Sequence, residues 1–273
     1  MLTLSRGYKF PDLKAQNMKL GLCLSGGGAR GIAHIGVLKA LEIHNIFPQY
    51  ISGSSAGAII GVLYAAGKTT QEIIDLVNQA NLFKVFRFGS FVGGFATHDF
   101  LRKILSESLN LKDFKDLSCN FYVCVSNLNK GKWTILKEGN VIEAVAASSS
   151  IPLVFEPVNI NGELYVDGGL LNNFPVEPLV VECDMILGSN VMPNTVKRDI
   201  SGVGGVAERC FDLVVWNNSE TRASQCDILI DIEGIGDFGI FDFQKAEEII
   251  ELGYKETIKR IAEINERIAE LEF

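Results

Sequence analysis

The stretch Tyr50-Ile51-Ser52-Gly53-Ser54-Ser55-Ala56-Gly57-Ala58-Ile59-Ile60-Gly61-Val62-Leu63 decides how this chain is read. Tyr50-Ile51-Ser52 can end a short buried strand. The apolar run from Ala58 to Ala66, closed by Gly67, reads as a buried helix. Between them Gly53, Ser55 and Gly57 spell Gly-x-Ser-x-Gly. Flanking glycines carry no Cβ to clash in a tight strand-to-helix turn, so the middle serine projects its Oγ into open space, and the helix N-terminus beside it stabilises negative charge. The same pentapeptide also fits an ordinary βα turn, and the motif alone does not separate the two.

Upstream, Lys19-Leu20-Gly21-Leu22-Cys23-Leu24-Ser25 reads as a second buried strand. It enters Gly26-Gly27-Gly28-Ala29-Arg30-Gly31 and then a helix through Ile32, Ile35, Leu38 and Leu41. Gly26, Gly28 and Gly31 spell Gly-x-Gly-x-x-Gly. A dinucleotide site would want a carboxylate about 20 residues on, at the end of the next strand, and that strand ends in Gly53-Ser54-Ser55 instead. The other use of such a loop is an oxyanion hole, in which backbone N–H groups point at a developing alkoxide. A serine turn at the end of the next strand favours that use. Arg30 either sits over the loop and adds positive potential or faces solvent.

A serine needs a group to take its proton. The three histidines are His34, His44 and His98. None follows Asp167, so a Ser…Asp…His order is absent. His34 and His44 fit packing and helix-end roles, whereas His98, in Thr97-His98-Asp99, stays open as a base. Asp167 is the carboxylate alternative, at a strand end before Gly168-Gly169. It is either a turn aspartate or a base, and beside a glycine loop and a serine elbow the base is favoured. Tyr165, Val166 and Leu170 around it would desolvate it and raise its pKa from about 3.9.

Outward from these motifs, helices are expected over Thr69–Asn81, Asp99–Leu109, Val141–Ala147 and within Val203–Ser219. Strands are expected at Phe121–Val125, Lys132–Leu136, Met185–Asn190 and Asp227–Ile232, with a hairpin from Phe155 to Val166 over Asn161-Gly162. Leu82 to Phe95 holds five of the seventeen phenylalanines, as an apolar lip or a loop folded on the core. The charged tail, Gln244–Glu270, places Tyr254, Ile258, Ile261, Ile264 and Ile268 at three- and four-residue steps. It either packs on its own domain or pairs two copies in a homodimer. The six cysteines are scattered without a Cys-x-x-Cys pair, the pattern of reduced core thiols rather than disulfides or zinc.

Composition narrows the class further. With 47% hydrophobic and 21% charged residues the chain can bury a sizeable core. A net charge of −8 argues against nucleic acid as a partner. No signal peptide or membrane span is evident, so a cytoplasmic location is expected, with any membrane contact peripheral. The simplest division is an N-terminal extension over residues 1–17 and one domain over 18–273.

Three pieces in order, Gly26-Gly27-Gly28-Ala29-Arg30-Gly31, Gly53-Ser54-Ser55-Ala56-Gly57 and Asp167-Gly168-Gly169, together resemble the patatin-like phospholipase family, most closely its small bacterial members. The likeness extends through Ala146-Ala147-Ser148-Ser149-Ser150-Ile151-Pro152 and Leu170-Leu171-Asn172-Asn173-Phe174-Pro175-Val176, and spans most of residues 18–255. It implies a three-layer α/β/α fold with a mainly parallel central sheet. It also implies hydrolysis of phospholipid, lysophospholipid or other acyl esters by a Ser–Asp dyad, without metal or organic cofactor. By motif, Ser55 would be the nucleophile and Asp167 the base. The glycine loop would form the oxyanion hole, with N–H groups from Gly27 and Gly28 and a further one from Ala29. The departures are Ser54, where threonine is frequent, and Ser25, where plant members carry aspartate. A non-catalytic lipid- or partner-binding protein on the same fold is the alternative.

Overall fold

The computed structural model describes residues 18–79, 91–92, 95–96, 98–192, 196 and 200–271. The expected N-terminal extension lies outside the described residues. So does the Phe-rich segment, apart from the paired strands β3 (Phe91–Val92) and β4 (Phe95–Ala96).

The chain opens strand, turn, helix, twice: β1 (Leu20–Leu24) to α1 (Ala33–Ile43), then β2 (Tyr50–Ser54) to α2 (Ala56–Ala65). Helix α3 (Thr70–Gln79) follows. Thr69 Oγ1 accepts the Glu72 N–H while Glu72 accepts the Thr69 N–H, a reciprocal box that fixes its start. After α4 (Asp99–Leu109) come β5 (Asn120–Asn127), β6 (Lys132–Leu136), α5 (Val141–Ser148), β7 (Val158–Ile160) and β8 (Glu163–Asp167). The chain ends with α6 (Glu177–Glu182), β9 (Met185–Asn190), α7 (Gly202–Ala223), β10 (Ile228–Asp231) and α8 (Ala246–Leu271).

The main sheet has the order β10-β9-β1-β2-β5-β8-β7, with β6 beside β5. Strands β10, β9, β1, β2 and β5 are parallel, and β6, β8 and β7 pair antiparallel. Apolar cores cover both faces, which makes the three layers. Along β1 the period of two is visible: Leu20, Leu22 and Leu24 enter the larger core, and Cys23 enters the smaller one with Phe174, Leu179 and Ile186. Parallel strands buried on both faces require such continuous apolar runs.

The tail helix packs on its own domain. It crosses α1 where Gly253 meets Gly36, so closely that a Cβ on Gly253 would lie 2.0 Å from the Ala33 carbonyl oxygen. Ile249, Ile250, Ile261 and Ile264 are buried behind that crossing. The expectation of core thiols holds for three of the six cysteines. Cys23, Cys119 and Cys124 are buried, Cys183 and Cys226 are half-buried, and Cys210 is exposed on α7. Among the described residues no helix is long and apolar enough to cross a membrane.

The register of β5 does most to place the site. Its consecutive residues Cys124 and Val125 pair with Ser54, the last residue of β2, and Asp167, the last residue of β8. Two strands from distant parts of the chain therefore end level with each other on either side of β5.

Candidate active site

Ser55 sits between β2 and α2 with φ 53 and ψ −122. A non-glycine residue held there stores about 1–3 kcal/mol of strain that its surroundings must offset. Gly57 shows why the turn is this tight, since a Cβ on it would lie 2.3 Å from the Leu24 carbonyl oxygen of the neighbouring strand. Gly53 packs against Gly57 in the same turn. The Ser55 carbonyl accepts from the Ala58 and Ile59 amides and starts α2, and the Ser55 N–H donates to Ser148 Oγ at 2.9 Å.

Ser55 Oγ donates to Asp167 Oδ2 at 2.6 Å. Ser55 is 8% exposed and Asp167 2%. The other carboxylate oxygen accepts the Gly169 N–H at 2.7 Å, within the turn that Gly168 begins. Burial raises the Asp167 pKa from 3.8 to about 7, against the opposing pull of the Ser55 and Gly169 hydrogen bonds. The group is therefore a far better proton acceptor near neutrality than a free aspartate.

The glycine loop lies beside the elbow, with Gly31 packed on Ala56. Its amides are not equivalent. Gly26 N–H donates to the Asn173 carbonyl, Ala29 N–H to the Ile240 carbonyl at 2.8 Å, and Arg30 N–H to the Gly27 carbonyl. Those three are committed, which removes Gly26, Ala29 and Arg30 from the expected donor set. Gly31 lies inside the 3-10 turn Gly28–Ile32, away from its open end. Gly27 and Gly28 precede and open that turn, where the first N–H groups have no intrahelical acceptor. Gly28 has φ +57, and a Cβ there would lie 2.4 Å from the Ile240 carbonyl oxygen.

Arg30 does not face solvent, which corrects one of the two expectations made for it. It is 3% exposed, and its guanidinium Nε donates to the Phe238 carbonyl at 2.7 Å, pinning the loop to the chain ahead of α8. The histidines are likewise placed away from the serine hydroxyl. His34 is buried, with Nε2 donating to the Ser25 carbonyl and Nδ1 accepting from Ser189, and burial lowers its pKa to about 4. His98 stacks on Phe155 and donates from Nε2 to Ser150 Oγ, whose own hydrogen goes to the Ala146 carbonyl. Burial, with Arg102 next, lowers its pKa to about 4. His98 was the open alternative as base; the hydroxyl of Ser55 meets Asp167 instead. His44 ends α1, the helix-end place expected of it.

Several site residues were given no individual role by the sequence. Asn173 donates from its backbone to Asn218 Oδ1 and from Nδ2 to the Gly26 carbonyl, and Asn218 Nδ2 donates to the Gly169 carbonyl. Two asparagines thus tie the glycine loop to the Asp167 turn. Ser148 is one of three consecutive serines, and nothing local distinguishes it. Among the described residues no group of three His, Cys, Asp or Glu side chains could hold a metal ion.

Comparison with known proteins places the chain in a family. Lysophospholipase NTE1 of Phaeosphaeria nodorum is 28% identical over 293 residues, covering 91% of this chain and 18% of that protein. Lysophospholipase NTE1 of Cryptococcus neoformans var. neoformans serotype D is 34% identical over 174 residues, covering 59% of this chain and 10% of that protein. The chain thus spans less than a fifth of the length of these relatives. VipD from Legionella pneumophila shares the fold, with a TM-score of 0.59 at 16% identity over 92% of this chain and 67% of that one. Residues 22–180, which hold the glycine loop, the serine elbow and the Asp167 turn, match the model of the patatin-like phospholipases, and the chain belongs to that family.

Proposed function

We propose that this chain is a serine lipid acyl hydrolase that cleaves carboxylic ester bonds of phospholipids or lysophospholipids through an acyl-enzyme on Ser55. The observation that carries the reading is the 2.6 Å hydrogen bond from Ser55 Oγ to Asp167 at a strained, buried elbow. The lysophospholipase relatives support the substrate class. In the first step Asp167 takes the Ser55 proton as Oγ attacks the ester carbonyl. The Gly27 and Gly28 N–H groups hold the oxyanion. Collapse expels the alcohol, which takes the proton from Asp167. A water then gives its proton to Asp167 and attacks the acyl carbon, and the fatty acid leaves as Ser55 regains its hydrogen. Any contact with a membrane is peripheral in this reading, and Ser55, Asp167, Gly27 and Gly28 all belong to one chain.

The test is covalent labelling by an alkyl fluorophosphonate, followed by intact mass and peptide mapping, on wild type and Ser55→Ala. One adduct on Ser55, absent from the folded variant, is expected. A folded wild-type chain that takes no adduct would sink the hydrolase reading and leave a lipid- or partner-binding protein on the same fold.

A further inference from the structure

Ser55 and Asp167 stand 112 residues apart in the chain, yet both backbones are held by one helix end. Pairing along β2 stops at Ser54, opposite Cys124, and the first bonds of α2 use the Ser55 carbonyl, not its amide. At its positive φ the Ser55 N–H is therefore buried without a strand acceptor. Ser148, the last residue of α5, supplies one through Oγ at 2.9 Å. That hydroxyl is itself fixed, because it donates to the Cys124 carbonyl at 2.7 Å. Two residues on, the Ser150 carbonyl accepts the Asp167 N–H at 2.9 Å. Ser150 is steadied in turn by His98, whose ring stacks on Phe155.

We propose that Ser148 is a positioning residue for the acyl-transfer step: with the Ser150 carbonyl, it makes the end of α5 a bracket that sets the distance from nucleophile to base. This rests on the reading of Ser55 and Asp167 as the reacting pair. Ser148 touches neither reacting atom. It holds the amide of a residue whose backbone would otherwise relax out of its strained conformation and carry Oγ away from Asp167. A displacement of about 1 Å at a reacting atom costs on the order of a hundredfold in rate.

The experiment is fluorophosphonate labelling of the full chain, with the maximal rate kinact separated from the binding constant KI, each variant held below its melting midpoint. Ser148→Ala should lower kinact by roughly ten- to a hundredfold with KI unchanged. Ser148→Thr keeps the hydroxyl and should restore the rate to within a few-fold of wild type. Ser149→Ala removes a neighbouring buried hydroxyl that donates only to the Val145 carbonyl of its own helix, and should label at the wild-type rate. If Ser148→Ala does not fold, Ser148→Cys, with a weaker and more distant acceptor, takes its place with the same expected fall.

A wild-type rate in Ser148→Ala, no rescue by folded Ser148→Thr, or an equal fall in Ser149→Ala would each overturn the proposal while Ser55 stays labelled in wild type. Failure to label wild type would instead overturn the reading of the pair, and this inference with it.

Discussion

The two glycine-flanked turns at the ends of β1 and β2 look alike in sequence and do opposite things with their backbone. Each joins a buried parallel strand to a buried helix. At the end of β2 the turn is a single residue, Ser55, and α2 begins at once. Its amide is taken by Ser148 and its carbonyl by α2, so only the side chain is left to act. At the end of β1 the chain inserts a 3-10 turn before α1, and its opening amides at Gly27 and Gly28 precede the helical ladder. In the proposed mechanism, the turn that spends its backbone presents the nucleophile and the turn that withholds it presents the donors. The outside supports differ too. The elbow is braced by the end of α5, and the glycine loop by Phe238 and Ile240.

The largest effect is expected where that difference is broken outright. Gly57→Ala places a methyl 2.3 Å from the Leu24 carbonyl oxygen, between the two turns. Neither backbone can yield without separating β1 from the elbow, so a loss of about 4 kcal/mol or more is expected, read as a lowered melting temperature with no labelling.

Asp167→Asn probes the elbow alone. Removing a general base costs roughly 10²–10⁴-fold in labelling rate. Stability should move the other way. The folded pKa of about 7 lies above the free value of 3.8, so the neutral carboxyl's contribution is fully present below the free value and is lost as pH rises through 7. Charging the buried group costs wild type on the order of 4 kcal/mol by about pH 8, a cost that asparagine never meets. Melting curves of the two proteins should converge in acid and separate above neutrality, with the variant higher. The opposite order above neutrality would mean that Asp167 is charged and well solvated.

Gly28→Ala probes the other turn and is expected to be the mildest. The left-handed backbone at that position costs a side chain about 1–2 kcal/mol, and the Ile240 carbonyl must retreat. Alanine keeps its N–H, but a shift of about 1 Å in where that donor points lowers the rate by on the order of a hundredfold. A labelled but slow protein, melting well above Gly57→Ala, keeps the two turns distinct. Equal collapse of both variants would dissolve the distinction.

Much of this is legible in the sequence. The paired strand–turn–helix units, the hairpin over Asn161-Gly162 and the tail helix have local causes, namely apolar periodicity and the backbone latitude of glycine. The expected strands Lys132–Leu136 and Met185–Asn190 and the helix Asp99–Leu109 match the observed bounds. That Arg30 is buried and does not face solvent could not be read locally, because a buried guanidinium needs an acceptor, and its acceptor, Phe238, lies 208 residues away. Cys210 was misread because α7 exposes much of its first half, which composition does not foretell.

The sequence by itself determined the kinds of group that would meet: a serine on a glycine elbow, a glycine loop and an aspartate at a strand end. Each is a local pattern with a local physical reason. Tertiary structure alone decided which amides of the loop are committed, that Asp167 rather than His98 faces Ser55, and that Ser148, Asn173 and Asn218 hold the arrangement. Those outcomes follow from the register of β5, which brings the ends of β2 and β8 to adjacent residues. A register is set by the packing of the whole sheet, and no short stretch of chain carries it.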